Sequence, residues 1–146
     1  MNEGEQIVII KIRQSDFDAI VSHAQSCLPE EACGLIGGTK EADAHHIEKV
    51  YFLENIDHTN EHFSLNPKEQ LRAVKDMRAR GLVPLGNWHS HPETPSRPSA
   101  EDIRLSYDST AHYLILSLMD AEHPVLNSFH VEGGAVTKEE LQIISI

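Results

Sequence analysis

The chain has 146 residues and a mass of 16.3 kDa, 40% of them hydrophobic, with 23 acidic against 12 basic side chains and a net charge of −11. A chain of this size buries on the order of two-thirds of its unfolded surface, so we expect a single domain over residues 1–146 that needs no metal to hold together. The acidic balance and the lack of a Lys/Arg cluster exclude nucleic acid as a partner, and the acidic Met1–Gln6 followed by the short apolar run Ile7–Ile10 excludes a signal core or a membrane span, which points to the cytoplasm.

Gln6 to Ile12 reads as an apolar strand, and Ser15-Asp16 as the cap of a helix whose apolar stripe is Phe17, Ile20, Val21, Ala24 and Leu28. Cys27 and Cys33 fit two reduced thiols, a disulfide across so short a loop being the alternative. Pro29-Glu30-Glu31 leads into Ala32 to Gly38, a run of small and apolar residues that reads as a buried strand. The polar turn Thr39 to Asp43 joins it to a partner strand, His46 to Leu53. Glu54 to Leu65 is polar and without period, hence a loop. Asn66-Pro67 starts a second helix, with Leu71, Val74 and Met77 at helical spacing and Gly81 at its end.

Leu82, Val83 and Leu85 then open a short buried strand that runs into Trp88-His89-Ser90-His91-Pro92. Residues two apart on a strand share a face, so His89 and His91 point one way and Trp88 and Ser90 the other. Pro92, Pro95 and Pro98 stiffen the loop that follows. Ser99 caps a helix and Asp102 lies one turn in, where its carboxylate can turn back towards the histidines. Ser99 with Asp102 also satisfies a capping box, for which no metal is needed. His112 to Leu118, Val125 to Val131 and a terminal strand near Leu141 to Ile146 complete a sheet, with Gly133-Gly134 as a hairpin turn. The elements together make a mixed α+β fold. His45, His46, His112, His123 and His130 have no usable spacing to a carboxylate and read as structural.

The conjunction of H-x-H on a strand, a proline-stiffened loop and S-x-x-D at a helix start carries more than any member alone. A catalytic zinc takes three protein ligands and leaves a fourth position open, and His89, His91 and Asp102 supply three. Hydrolysis then needs a base that is not itself a ligand. Glu30 and Glu31, at the mouth of the apolar strand, are candidates, although a glutamate is by default a solvated surface charge.

Pro29-x-Glu31-x-Cys33-Gly34-Leu35-x-x-Gly38, then His89-Ser90-His91-Pro92, seven residues from Pro92 to Pro98, Ser99, two residues and Asp102 resemble the signature of the JAMM (MPN-plus) metalloproteases, in particular their stand-alone prokaryotic members. The resemblance runs from the first strand to about Phe129. It implies a curled, mainly antiparallel sheet flanked by helices, the MPN/JAB fold related to cytidine deaminases. It also implies one Zn2+ on His89, His91 and Asp102 with water as fourth ligand, Glu31 rather than Glu30 as general acid/base, and Ser99 placing water and stabilising the oxyanion. Zinc chemistry of this kind lowers the pKa of bound water to about 7 and needs no acyl-enzyme.

The family passes its equivalent of the 54–65 loop close to the substrate, which makes His58, His62 and Phe63 candidates for the rim; solvated polar residues anchored by Phe63 are the alternative. Some prokaryotic members hydrolyse the amide bond at the Gly-Gly end of a small ubiquitin-like sulfur carrier. A Gly-Gly tail suits a narrow cleft because it has no Cβ, and an extended tail can pair with a sheet edge. The expected activity is therefore that of a zinc peptidase or isopeptidase acting on such a carrier. The alternative is a non-catalytic MPN-type scaffold, which would lack the ligands. A nucleobase deaminase is set aside because H-x-E and C-x-x-C are both absent.

Overall fold

The computed structural model describes residues 8–60 and 62–145. In chain order the elements are β1 (Ile9–Arg13), α1 (Gln14–Cys27), β2 (Cys33–Lys40), β3 (Ala44–Leu53), α2 (Pro67–Ala79), β4 (Val83–His91), α3 (Ala100–Arg104), β5 (His112–Ser117), β6 (Val125–Glu132) and β7 (Ala135–Ile144). The strands close into a barrel in the order β1-β3-β2-β4-β5-β6-β7. This corrects the expected curled sheet: β1 lies parallel to both β3 and β7 and joins the two ends. The β4–β5 pair is also parallel, while β2 pairs antiparallel with both β3 and β4, and β6 with both β5 and β7. Among the described residues every strand has a neighbour on each side, although β1 pairs with β3 over Ala44–His46 only.

The barrel interior is apolar because alternate residues of each strand face inward. Ile10, Ile12, Ile36, Ile47, Leu85, Trp88, Leu114, Leu116 and Leu126 meet there, and Ile20 and Ala24 of α1 join the same cluster. Two glycines permit the close strand packing. A Cβ on Gly34 would stand 1.8 Å from the Tyr51 carbonyl oxygen and 2.4 Å from Trp88 Nε1, and one on Gly86, whose φ is 151°, would stand 1.9 Å from the His112 carbonyl oxygen. Both contacts are far inside van der Waals range, so β2 and β4 reach their present register only because these side chains are missing.

Several local expectations are revised. Helix α1 starts at Gln14 directly from β1, so its N-cap is Arg13, without a side-chain cap bond, and Ser15 and Asp16 sit inside the first turn. Arg13 instead reaches across to Glu48 and Asp16. Leu28 lies beyond the helix and is exposed, as is Leu71 on α2, where Ala73 and Met77 make the buried contact. Asn66 caps α2 as expected, accepting from the backbone N–H of Lys68 and Glu69. The first strand begins at Ile9, with Gln6 and Ile7 outside the described residues. The last strand is longer than expected, because β7 starts at Ala135, straight after a Gly133-Gly134 turn in which both residues have positive φ.

The histidines set aside as structural include a pair, the buried His112 and the half-buried His45. His112 Nδ1 lies 2.9 Å from both oxygens of Glu139, His112 Nε2 lies 2.7 Å from His45 Nδ1, and Ser128 Oγ donates to Glu139 at 2.8 Å. Four strands thus share one polar chain inside the barrel. Glu139→Ala leaves the His112 ring and the Ser128 hydroxyl without their acceptor, and we expect a loss of about 3 kcal/mol in urea unfolding. Burial and the neighbouring His112 lower the pKa of His45 below its ordinary 6.5. The unfolded chain therefore binds the proton more tightly, and the contribution of His45 to stability declines as pH falls below about 6.5. Melts from pH 8 to pH 5 should show less of this decline in His45→Gln; an identical decline would remove His45 as its source.

Candidate metal centre

Strand β4 carries His89 and His91 on one face, both buried, while Trp88 packs into the barrel and donates Nε1–H to the Tyr51 carbonyl at 3.0 Å. Ser90, also facing inward, accepts from the Ala32 N–H through Oγ at 2.8 Å and donates its own N–H to the Ala32 carbonyl at 2.9 Å. These two bonds lash the segment that carries Glu31 alongside the histidine strand. Ser90 was not singled out by motif reasoning beyond its direction, although an inward hydroxyl between two histidines was the available signal.

Helix α3 supplies the third group. Ser99 Oγ accepts from the Asp102 N–H at 3.0 Å, and the Ser99 N–H donates to Asp102 Oδ2 at 2.8 Å, a complete capping box. The same Oδ2 stands 3.2 Å from His89 Nε2 and 3.1 Å from His91 Nε2, and the two nitrogens are 3.1 Å apart. The capping and ligand readings of S-x-x-D are therefore both satisfied by one carboxylate.

The triangle has the dimensions of a metal site. A tetrahedron with ligand arms of ~2.0–2.1 Å has edges of about 3.3–3.4 Å, close to the three separations seen. Its chemistry agrees. His91 Nδ1 faces the Pro95 carbonyl at 2.9 Å, which places the ring proton there and turns the Nε2 lone pair inward. His89 Nδ1 has no hydrogen-bond partner among the described residues, so the ring is not held by one. Three acceptor atoms converging at this distance repel one another unless a cation or a shared proton sits among them. Among the described residues, these three form the group of His, Cys, Asp and Glu side chains able to hold a metal ion.

The electrostatics divide the three groups. Burial lowers the His89 pKa despite the Asp102 carboxylate, keeping the ring neutral. Burial also opposes the charge on His91, but the hydrogen bonds to Asp102 and Pro95 outweigh it and raise that pKa. Burial likewise works against ionised Asp102, yet the two imidazoles hold its carboxyl well below the usual range.

Glu31, in the segment entering β2, is only 4% exposed. Burial pushes its pKa up to about 8, against the pull of His91 and with the help of Asp102 and Glu101. Its Oε1 is buried with no hydrogen-bond partner among the described residues. Glu30 behaves differently: its carboxylate is partly exposed and lies 3.4 Å from His58 Nδ1. Glu31, and not Glu30, is thus the buried glutamate that is electrostatically coupled to His91 and Asp102.

A cavity of about 310 Å³ opens beside His89 and Asp102. Its floor is Asn87, Tyr113 and Ile115, and its walls include Phe63 and Leu105. Phe63 stacks on the His89 ring, centroids 4.6 Å apart and planes 26° from parallel. Of the three rim candidates, His62 and Phe63 line this cavity, whereas His58 turns outward to Glu30. Asn87 was not anticipated; its Oδ1 is buried without a partner among the described residues, and its position two before His89 on the same strand was the signal.

Comparison with known proteins agrees with this geometry. A family model described as prokaryotic homologs of the JAB domain matches residues 13–131. The CysO-cysteine peptidase of Mycobacterium tuberculosis is 30% identical over 138 residues, which cover 94% of this chain and 93% of that protein. The probable TtuB-protein conjugate cleaving protease of Thermus thermophilus is 34% identical over 102 residues, 69% of this chain and 66% of that one. A solution structure of a protein from Desulfitobacterium hafniense superposes with a TM-score of 0.87 at 47% identity, covering 94% of each chain. A JAB1/MPN domain protein from Archaeoglobus fulgidus shares the fold at a TM-score of 0.56 and 21% identity, covering 95% of this chain and all of that one. A match that spans most of the chain, over a barrel that holds both halves of the motif in one place, means that this protein belongs to the prokaryotic homologs of the JAB domain.

Proposed function

We propose that the protein is a zinc-dependent peptidase or isopeptidase that hydrolyses the amide bond at the Gly-Gly C-terminus of a small ubiquitin-like or sulfur-carrier protein. The observation that carries this reading is a buried, unpaired Glu31 carboxyl beside three convergent acceptors, His89, His91 and Asp102. Relatives named for cleaving CysO-cysteine and TtuB-protein conjugates support the choice of substrate class.

Zinc held by His89, His91 and Asp102 would supply Lewis acidity, polarising the scissile carbonyl and acidifying the attacking water. The remaining work belongs to the chain. Glu31 accepts the proton of the attacking water and returns it to the departing amine. A carboxyl pushed up to about 8 by burial can do both near neutral pH. Ser99 Oγ accepts from the Asp102 N–H, which leaves its own proton free to be donated to the carbonyl oxygen as that oxygen becomes negative. Phe63 covers one face of His89 and limits access of bulk water. The cavity beside His89 and Asp102 receives a side chain of the bound polypeptide, with the Asn87 amide at its floor.

Three outcomes check this reading. Zinc-loaded protein should cleave a carrier adduct, lose that activity to a chelator and regain it with zinc, while Glu31→Gln keeps its zinc and loses at least about 10³-fold in kcat; full turnover in that variant sinks Glu31 as the proton carrier. Ser99→Ala should lower kcat about 10²-fold or more and cost about 1 kcal/mol of stability through the lost cap; a stability cost with unchanged kcat leaves Ser99 a cap alone. In metal-free protein, folded Glu31 keeps its proton between pH 4.5 and about 8 while the unfolded chain loses it. Stability contributed at this position must then fall as pH rises through that window, by about 5 kcal/mol. Glu31→Gln should abolish this slope in melts of chelated protein, and an unchanged slope would show that the carboxyl ionises normally.

A further inference from the structure

The described residues of the loop between β3 and α2 are exposed or half-buried, except the second. Asn55 is 6% exposed and uses both ends of its amide. Nδ2 donates to the Glu31 carbonyl at 3.0 Å and to the His62 carbonyl at 3.1 Å, and Oδ1 accepts from the N–H of Asp57 at 3.0 Å and of Ser64 at 3.2 Å. Every partner is a main-chain atom. Three of them belong to the loop that roofs the cavity, and the fourth belongs to Glu31 itself.

Glu31 Oε1 is buried with no hydrogen-bond partner among the described residues. The main chain of Glu31, by contrast, is held. The Glu31 N–H donates to the Thr59 carbonyl at 2.7 Å, and the Glu31 carbonyl accepts from Asn55. The N–H of that same Glu31–Ala32 peptide donates to Ser90 Oγ on the histidine strand, and the next carbonyl, that of Ala32, accepts from the Ser90 N–H. Both peptide groups flanking the Glu31 Cα are thereby pinned, and two of the pins come from the loop. The same loop stacks Phe63 on His89.

We propose that Asn55 is a positioning residue that sets the backbone of Glu31 and the cavity-roofing loop together, so that the loop is in place when the base is. The inference rests on the reading of Glu31 as proton carrier. Asn55 need not touch the substrate; a ligand that shifts residues 62–64 would be felt at Glu31 through one shared amide.

Two substitutions separate this role from a merely structural one. Asn55→Asp keeps oxygens to accept from Asp57 and Ser64 but has no N–H for Glu31 or His62, whereas Asn55→Ala loses all four bonds. With zinc content and far-ultraviolet circular dichroism as in the parent, both should lose at least tenfold in kcat. The KM of Asn55→Asp should stay within about threefold of the parent's, since its loop remains folded. In a Glu31→Gln background neither substitution should lower the residual rate further. Wild-type kcat in Asn55→Asp, or an equal loss in the Glu31→Gln background, would overturn the proposal. Amide hydrogen exchange tests it without turnover: the Glu31 N–H should lose at least tenfold in protection in Asn55→Asp while the Ser64 N–H keeps its own, and unchanged protection at Glu31 would also overturn it. If the zinc-loaded parent cleaves no carrier adduct, the proposed function fails, and the exchange measurement still decides whether Asn55 holds Glu31. Should Asn55→Ala not fold, Asn55→Asp carries the test alone.

Discussion

A single oxygen, Asp102 Oδ2, ties the helix to the strand. It accepts the N–H of Ser99 and so closes the first turn of α3, and it stands just over 3 Å from each of the two buried imidazoles. Helix capping and cation binding compete for a carboxylate in most settings, because an oxygen spent on a backbone amide has less to give a metal. Here the lone pairs divide between them. The helix is short, five residues, and meets the barrel through the half-buried Ile103, which packs against Ala111, Tyr113 and Val131. Its placement rests on that contact, on this cap and on the proline-containing loop that delivers it. A cation at the triangle would hold α3 as much as α3 holds the cation.

The barrel makes that meeting possible by putting β4 between β2 and β5. The β2 side brings the Glu31 segment along the histidine strand through Ser90, and the β5 side brings Tyr113 and Ile115 to floor the cavity. Gly34 on β2 and Gly86 on β4 are among the sites of closest packing. The core is filled mainly by branched and aromatic side chains from the inward faces, and the Glu139-His112-His45 chain occupies part of the interior with polar groups that satisfy one another. Such a network is costly if half-made and rigid if complete.

Much of this was legible from residue order. The alternation on β4 and the S-x-x-D at the start of α3 anticipated the convergence of His89, His91 and Asp102, because strand and cap geometries are local and short in range. Asn66-Pro67 announced α2 for the same reason. Barrel closure was not legible, since β1 meets β3 and β7 through pairings that no local pattern encodes. The early part of β7 was missed because Thr137, Lys138, Glu139 and Glu140 look like a turn in sequence, while in the structure Glu139 points inward to a histidine 27 residues away in sequence. The start of α1 was misplaced because Arg13 ends a strand and precedes a helix without any loop between them. Asn55 could not be distinguished from the polar residues around it, as its partners are backbone atoms that carry no side-chain signature.

That last property has an evolutionary consequence. Because the Asn55 amide is bound to peptide groups alone, it holds this loop without itself specifying the loop's side chains, of which Asp57 bonds His62 and Ser64, and Phe63 stacks on His89. Residues facing an incoming polypeptide can be exchanged while the main chain they hang from stays where it is. A lineage can then drift from one carrier to another by substitutions in one short stretch, without re-evolving its chemistry. The constraint falls on one asparagine, and the freedom on its neighbours.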